Sequence, residues 1–218
     1  MENTGFILYS RTQQTELYIE SDCYPQVKRA LFDLQKDIHA VCGYTPAVET
    51  ERGKCRRPVI VTTCGKSKMA EELTREGIVD LSAIAGKTEA FLLTNIDRPF
   101  AHFEEAYLIC GSDMRGTIYG IYELSRTIGV SPWYDWADVT IPHKDEIVID
   151  GNPRFFDSPS VKYRGIFIND ERALQQWAKR FSDGTPENGG APNSIVYQKI
   201  FELLLRLRAN TLWPAISA

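Results

Sequence analysis

Residues 161–171, V-K-Y-R-G-I-F-I-N-D-E, decide the fold. From Val161 to Ile168 the run is β-branched and aromatic, with Gly165 in its middle. It then breaks into three adjacent polar residues, Asn169, Asp170 and Glu171. A buried parallel strand reads this way, as a near-continuous apolar run that hands polar side chains to the carboxyl edge of its sheet. In barrels and open α/β sheets, chemistry sits at that edge.

Downstream, Ala173 to Phe181 allows a turn or two of helix. Ser182 to Asn193, S-D-G-T-P-E-N-G-G-A-P-N, is too rich in Gly, Pro and Asn for regular structure. Loops of that length in compact domains are functional or mobile. Ser194 is predicted to cap a helix with an apolar face of Val196, Ile200, Phe201, Leu203, Leu204 and Leu207. Ala209 to Trp213 reads as the next strand, ended by Pro214. The order strand, loop, helix, strand makes one βαβ unit of a parallel sheet. A (β/α)8 barrel uses about 250 residues, so residues 156–218 supply roughly a quarter of one.

Upstream, residues 1–155 read as a separate small α/β domain. Short strands are predicted over Phe6–Tyr9, Glu16–Ile19, around Val48, and over Pro58–Thr63, Thr88–Thr94 and Glu105–Cys110. Pro25 opens a helix whose Val27, Leu31, Leu34, Ile38 and Val41 form one stripe, stopped by Gly43. A second helix falls around Lys68–Arg75. The third lies in G-S-D-M-R-G-T-I-Y-G-I-Y-E-L-S-R-T-I-G, residues 111–129, with Ser112 or Asp113 as cap. Its Ile118, Ile121, Tyr122 and Ile128 form the buried stripe, and Gly116 and Gly120, four apart, suit close approach to a sheet. Ile147–Ile149 is a further strand, and residues 150–160, with Pro153 and Pro159, read as a connector. The boundary is expected near Arg154–Ser158.

Composition excludes several classes. The 25 basic and 29 acidic residues of the 218-residue chain leave a net charge of −4, without the basic stripe that nucleic-acid binding uses. No apolar run approaches the roughly 20 residues of a membrane span. The first residues lack the basic and apolar regions of a signal peptide, so a cytoplasmic location is expected; a secreted or periplasmic parent is the alternative. Five scattered cysteines without a CxxC pair suggest neither zinc nor a disulfide framework, and read as free thiols. The sequence Cys64-Gly65-Lys66-Ser67 ends like a phosphate-binding loop. The motif's first glycine position holds Ile60, however, and nucleotide binding is set aside. No cofactor and no metal are expected.

The segments 161–171, Y-Q-K-I-F-E-L-L-L-R-L-R-A-N-T-L-W-P-A (197–215), 111–125 and G-V-S-P-W-Y-D-W-A-D-V (129–139) resemble glycoside hydrolase family 115, the xylan α-1,2-glucuronidases. The resemblance covers nearly the whole chain in order. It implies an N-terminal accessory domain over 1–155 and the start of a catalytic (β/α)8 barrel over 156–218, truncated relative to longer family members. The implied partners are the rest of that barrel and xylan-derived oligosaccharides bearing glucuronic acid or its 4-O-methyl form, in a parent that can be a homodimer. An inverting mechanism is implied, with an acid and a base about 6.5–9.5 Å apart.

Within this chain Asp170 is the candidate catalytic carboxylate, and Asn169, Glu171 and Trp213 are candidate substrate-binding residues. Adjacent side chains on an extended strand point to opposite sides, so Asp170 and Glu171 do not form the acid–base pair together. The alternative is that the cluster only ties down the long loop. Trp213 ends the second strand on the same edge, where it stacks on a sugar or packs in a core. Arg164 lies about 20 Å before Asp170 along an extended strand and reads as a structural ion-pair residue. Arg115 can reach an adjoining domain or an acidic ligand. Trp133, Tyr134 and Trp136, beside Asp135 and Asp138, suit a domain interface or a sugar surface. The competing functional class is therefore a non-catalytic carbohydrate-binding or docking module. On either reading the isolated chain is expected to be inactive as a hydrolase.

Overall fold

The computed structural model describes residues 5–169, 172–181 and 193–214. Its chain forms two compact units, Met1–Pro159 and Ser160–Ala218. The first contains β1 (Phe6–Tyr9), β2 (Leu17–Ile19), α1 (Pro25–Cys42), β3 (Val48–Glu49), β4 (Val59–Thr63), α2 (Lys68–Arg75), β5 (Phe91–Asp97), β6 (Glu105–Gly111), α3 (Met114–Ile128), β7 (Ile147–Ile149) and β8 (Arg154–Phe156). Six strands form one sheet in the order β3-β2-β4-β6-β5-β8. Strands β3, β2, β4 and β6 run parallel, whereas β5 is antiparallel to both of its neighbours, β6 and β8. Strands β1 and β7 make a separate antiparallel pair.

The central strands of the sheet are buried on both faces. Every residue of β4 is buried. Ile60, Leu92, Leu108 and Cys110 pack with Met69, Ala70 and Leu73 of α2, so the alternate residues Val59, Val61 and Ile109 face the opposite side. Helix α1 begins with Pro25 in its first turn. It ends at Gly43, whose φ of 76° lets its N–H reach the His39 carbonyl at 2.7 Å. The predicted stripe from Val27 to Val41 is fully buried. At the α1–α3 contact the Tyr122 hydroxyl donates to the buried Asp33 Oδ2 at 2.9 Å.

Helix α3 lies almost directly on the sheet. A Cβ on Gly116 would sit 2.2 Å from the Ala90 carbonyl oxygen, and one on Gly120 would sit 2.7 Å from Ile109 Cγ2. Asp113 is the cap, its Oδ1 accepting from the Gly116 N–H at 2.8 Å. Its other oxygen accepts from the Glu89 N–H at 2.9 Å, so one carboxylate fixes both the helix start and the lead into β5. Ser112, the other cap expected, accepts from the Ala90 N–H at 3.0 Å.

Residues 154–156, read from sequence as connector, form the sheet's edge strand. Phe156 stacks on Phe91 with ring centroids 4.4 Å apart. The first unit accordingly runs on to Pro159. An edge strand of three residues between prolines carries too little periodicity to be seen in advance.

The second unit holds β9 (Gly165–Ile168), α4 (Arg172–Ala178), a short 3-10 turn over Lys179–Phe181, α5 (Ser194–Arg206) and β10 (Thr211–Pro214). Asn193, and not Ser194, caps α5, its side chain accepting from the Val196 N–H at 3.0 Å. Val196, Ile200, Leu203 and Leu204 are buried, but Phe201 and Leu207 are exposed. The central loop lies outside the described residues.

Replacing Gly116 by Ala normally favours a helix by about 1 kcal/mol. Here the methyl group meets backbone, and overpacking of about 1–3 kcal/mol reverses the sign. Gly116→Ala should therefore lower the thermal midpoint of the chain. Asp113→Ala should cost about 1–2 kcal/mol through loss of the cap. Denaturant titration of both variants beside the wild type measures each effect.

Candidate active site

Strands β9 and β10 pair in parallel with Gly165 opposite Thr211 and Ile168 opposite Pro214, so their carboxyl ends share one edge. The pairing is close because residue 165 has no side chain, as a Cβ there would lie 1.7 Å from the Thr211 carbonyl oxygen. Asn210 sets the register from the other end. Its Oδ1 accepts from the Arg164 N–H at 3.0 Å and its Nδ2 donates to the Lys162 carbonyl at 2.8 Å. The Arg164 guanidinium donates to the carbonyls of Arg208 (Nε, 2.9 Å) and Val161 (Nη1, 2.8 Å). Sequence reads Arg164 as a structural ion-pair residue, whereas these bonds run to backbone carbonyls.

The regular strand is shorter and more open than the apolar run suggests. It begins at Gly165, and most of its residues are exposed. Phe167 and Trp213 stand opposite each other in register, 56% and 69% exposed, with rings edge-to-face at 6.0 Å. Burial of a parallel strand needs neighbours on both edges and cover on both faces. Among the described residues β9 has one neighbour.

Of the candidate residues, Asn169 follows β9 directly and is exposed at the shared edge. Trp213 lies at that edge and is exposed within this unit. Asp170 and Glu171 lie outside the described residues. The edge thus carries Asn169 and a Phe167–Trp213 aromatic pair. Phe167 was missed because it reads as an ordinary apolar strand residue; its partner across the register could not be known from sequence. Among the described residues no group of three or more His, Cys, Asp or Glu is placed to hold a metal ion. No helix among them is long and apolar enough to cross a membrane.

The other candidate positions of the first unit are engaged locally. Arg115 pairs with the buried Glu89 at 3.3 Å. The turn at the start of α3 directs its carboxylate and its hydroxyl to backbone amides. In the sequence Cys64-Gly65-Lys66-Ser67, Ser67 Oγ accepts from the Thr63 N–H at 3.0 Å, a turn-closing role. Trp133 is 44% exposed on a turn in which its carbonyl accepts from the Trp136 and Ala137 N–H groups.

Comparisons with known proteins give first the class and then the family. A mutant Streptomyces plicatus β-hexosaminidase with bound product has the same fold at 14% identity, with a TM-score of 0.52 over 98% of this chain and 43% of its own. A family 20 β-N-acetylhexosaminidase from Streptomyces coelicolor matches at 11% identity, TM-score 0.50, over 97% of this chain and 43% of its own. The architecture is thus one found in glycoside hydrolases.

Residues 156–218 match the family model for glycosyl hydrolase family 115. A family GH115 4-O-methyl-alpha-glucuronidase, BtGH115A, with specificity for decorated arabinogalactans, is 37% identical, with a TM-score of 0.77 over 96% of this chain. The chain resembles glycosyl hydrolase family 115 and spans about a quarter of the length of that structure, 26%. No curated protein matches it.

Gly165→Ala should separate β9 from β10, and Asn210→Ala should remove the bonds to Arg164 and Lys162 at a cost of about 1–3 kcal/mol. Hydrogen–deuterium exchange of the full chain should show faster exchange over residues 165–168 and 211–214 in both variants. Unchanged protection there would refute the pinning role of these two positions.

Proposed function

We propose that this chain forms the leading part of an α-glucuronidase that removes glucuronic acid or 4-O-methylglucuronic acid side chains from a plant polysaccharide, with xylan as the expected backbone. The observation that carries this reading is the 37% identity to the family 115 4-O-methyl-alpha-glucuronidase over nearly the whole chain. Support also comes from the β9–β10 edge, where parallel strands deliver Asn169 and Trp213 to one side. Residues 160–218 are then the first staves of the catalytic barrel, and residues before them an accessory domain.

In this reading hydrolysis inverts the anomeric carbon. One carboxyl group protonates the glycosidic oxygen as the bond to the polysaccharide breaks. A carboxylate on the opposite face takes a proton from the attacking water. Asp170 supplies one of the two, and the other comes from a different strand of the barrel. Trp213 offers an aromatic face to a pyranose ring, while Asn169 and Glu171 bind hydroxyl groups or order the loop that follows. The 218 residues alone are inactive, because the opposing carboxylate is absent from their share of the barrel.

A second reading rests on the exposed Trp133 beside Asp135 in the first unit. This surface would bind carbohydrate or dock a partner without catalysis. Titration with xylo-oligosaccharides, followed by tryptophan fluorescence, tests it. A flat response at millimolar ligand removes it.

The decisive assay incubates the enzyme carrying these residues with glucuronoxylan and, separately, with a glucuronic-acid-decorated arabinogalactan. Release of (4-O-methyl)glucuronic acid, first seen as the β-anomer by proton NMR, is the expected outcome. Release from arabinogalactan alone would overturn the xylan assignment, and release from neither would overturn the glucuronidase reading. Asp170→Ala in that enzyme should lower the rate by at least about 100-fold. The isolated 218-residue chain should release no uronic acid.

A further inference from the structure

Cys64 and Cys110 lie 46 positions apart in sequence, yet their sulfurs are 3.7 Å apart. Cys110 is on β6, directly opposite Thr62 of β4, and is fully buried. Cys64 follows the end of β4, with its N–H held by the Gly111 carbonyl at 2.8 Å. Alternation along β4 puts Cys64 on the same side of the sheet as Ile60 and Cys110. Its side chain is half-buried and opens on a cavity of about 500 Å³ that Ala70, Thr74, Arg75, Leu81 and Ala85 also line. One sulfur can be reached from solvent, and the second only through the first.

We propose that Cys64 and Cys110 form an oxidisable pair, a modification site at which a hydroperoxide converts the two thiols into a disulfide. Three observations carry this. The two sulfurs already lie 3.7 Å apart, against the about 2.05 Å of a formed disulfide. The cavity admits a small peroxide to Cys64 and leaves Cys110 screened. Cys23, Cys42 and Cys55 have no such arrangement, as none has a described sulfur neighbour.

The electrostatics assign the two roles. The Cys110 thiol beside Cys64 holds the Cys64 thiol below the usual thiol value. Its bond to Cys64, together with burial, pushes Cys110 well above that value. Cys64, which lines the cavity, is the more readily ionised of the two and takes the role of nucleophile, with the buried Cys110 as its resolving partner.

The Cys64 thiolate attacks the outer oxygen of the hydroperoxide and the O–O bond breaks. The leaving alkoxide or hydroxide takes a proton and departs as an alcohol or water, leaving Cys64 as a sulfenic acid. The Cys110 sulfur then attacks Cys64 Sγ. The sulfenic hydroxyl leaves with the Cys110 proton as water, and the S–S bond forms. Two thiols and one hydroperoxide give one disulfide, one alcohol (or water) and one water. The sulfurs lose two electrons and the peroxide gains them. The resulting bridge would tie the turn that leads into α2 to the central strand β6.

The test treats the full chain with one equivalent of hydrogen peroxide, blocks remaining thiols with N-ethylmaleimide, and maps the peptides by mass spectrometry. A linked Cys64–Cys110 peptide that dithiothreitol abolishes is the expected result, with the other three cysteines recovered as maleimide adducts. Three results would overturn the proposal: Cys64 blocked by maleimide as fully as Cys23, Cys64 recovered as sulfinic acid with no linked peptide, or a bridge to a different cysteine. In Cys110→Ala, Cys64 should stop at the sulfenic acid and take up dimedone; no adduct would overturn the assigned order of attack. The wild-type peptide map decides whether the two thiols pair even if that variant does not fold.

Discussion

Helix α3 meets its sheet backbone to backbone, and the rest of the first unit is arranged around that contact. Gly116 and Gly120 leave no room for a β-carbon between helix and strands. The same closeness puts Thr117 Oγ1 2.7 Å from Thr63 Oγ1, deep between β4 and β6. Because α3 sits low, Asp113 can bridge its own first turn and the Glu89 amide that leads into β5. On the far side of the helix Tyr122 reaches Asp33 and brings in α1. Large aliphatic residues at 116 and 120 would lift the helix and break each of these bonds in turn.

A smaller version of the same constraint governs the second unit. Gly165 lets β10 run against β9, and Asn210 holds the lead into β9 through its bonds to Arg164 and Lys162. The carboxyl edge carrying Asn169 and Trp213 is positioned from the opposite end of the strands. The residues that would bind a sugar thus depend on residues about 10 Å or more away along an extended backbone, at the usual rise per residue. Precision at a site often rests on such remote backbone pinning and not on the binding residues themselves.

Much of this was legible in the sequence where a residue type allows only one backbone role. Pro25, Gly43, Gly116, Gly120 and Gly129 each marked a helix start, a close approach or a stop, and the structure uses each accordingly. The apolar stripe of α1 was equally plain. Three features were not. Strand β8 was hidden because three residues between two prolines have no period. The cap of α5 fell one residue early because Asn193 and Ser194 are equally good caps. The pairing of Phe167 with Trp213, like that of Cys64 with Cys110, depends on register across the sheet, which no local pattern encodes. At the proposed site the sequence singled out Asn169 and Trp213, and both lie on one edge; the roles of Gly165 and Asn210 in setting that edge became visible only in the structure.

Strand β8 has a consequence for how the molecule opens and closes. The β5–β6 hairpin joins neighbours across seven residues and pairs over seven positions, whereas β8 joins β5 over three and must wait for a chain segment more than fifty residues further on. Contacts between distant segments pay their loop entropy before they gain anything, so they form late and release early. At its side of the six-stranded sheet β8 is therefore expected to fray before β5 and β6. That strand also ends just before the second unit begins, at Ser160. Transient fraying of β8 would lengthen the tether between the two units, so the freedom of that tether is set by the Phe91–Phe156 stack as much as by the residues of the tether itself.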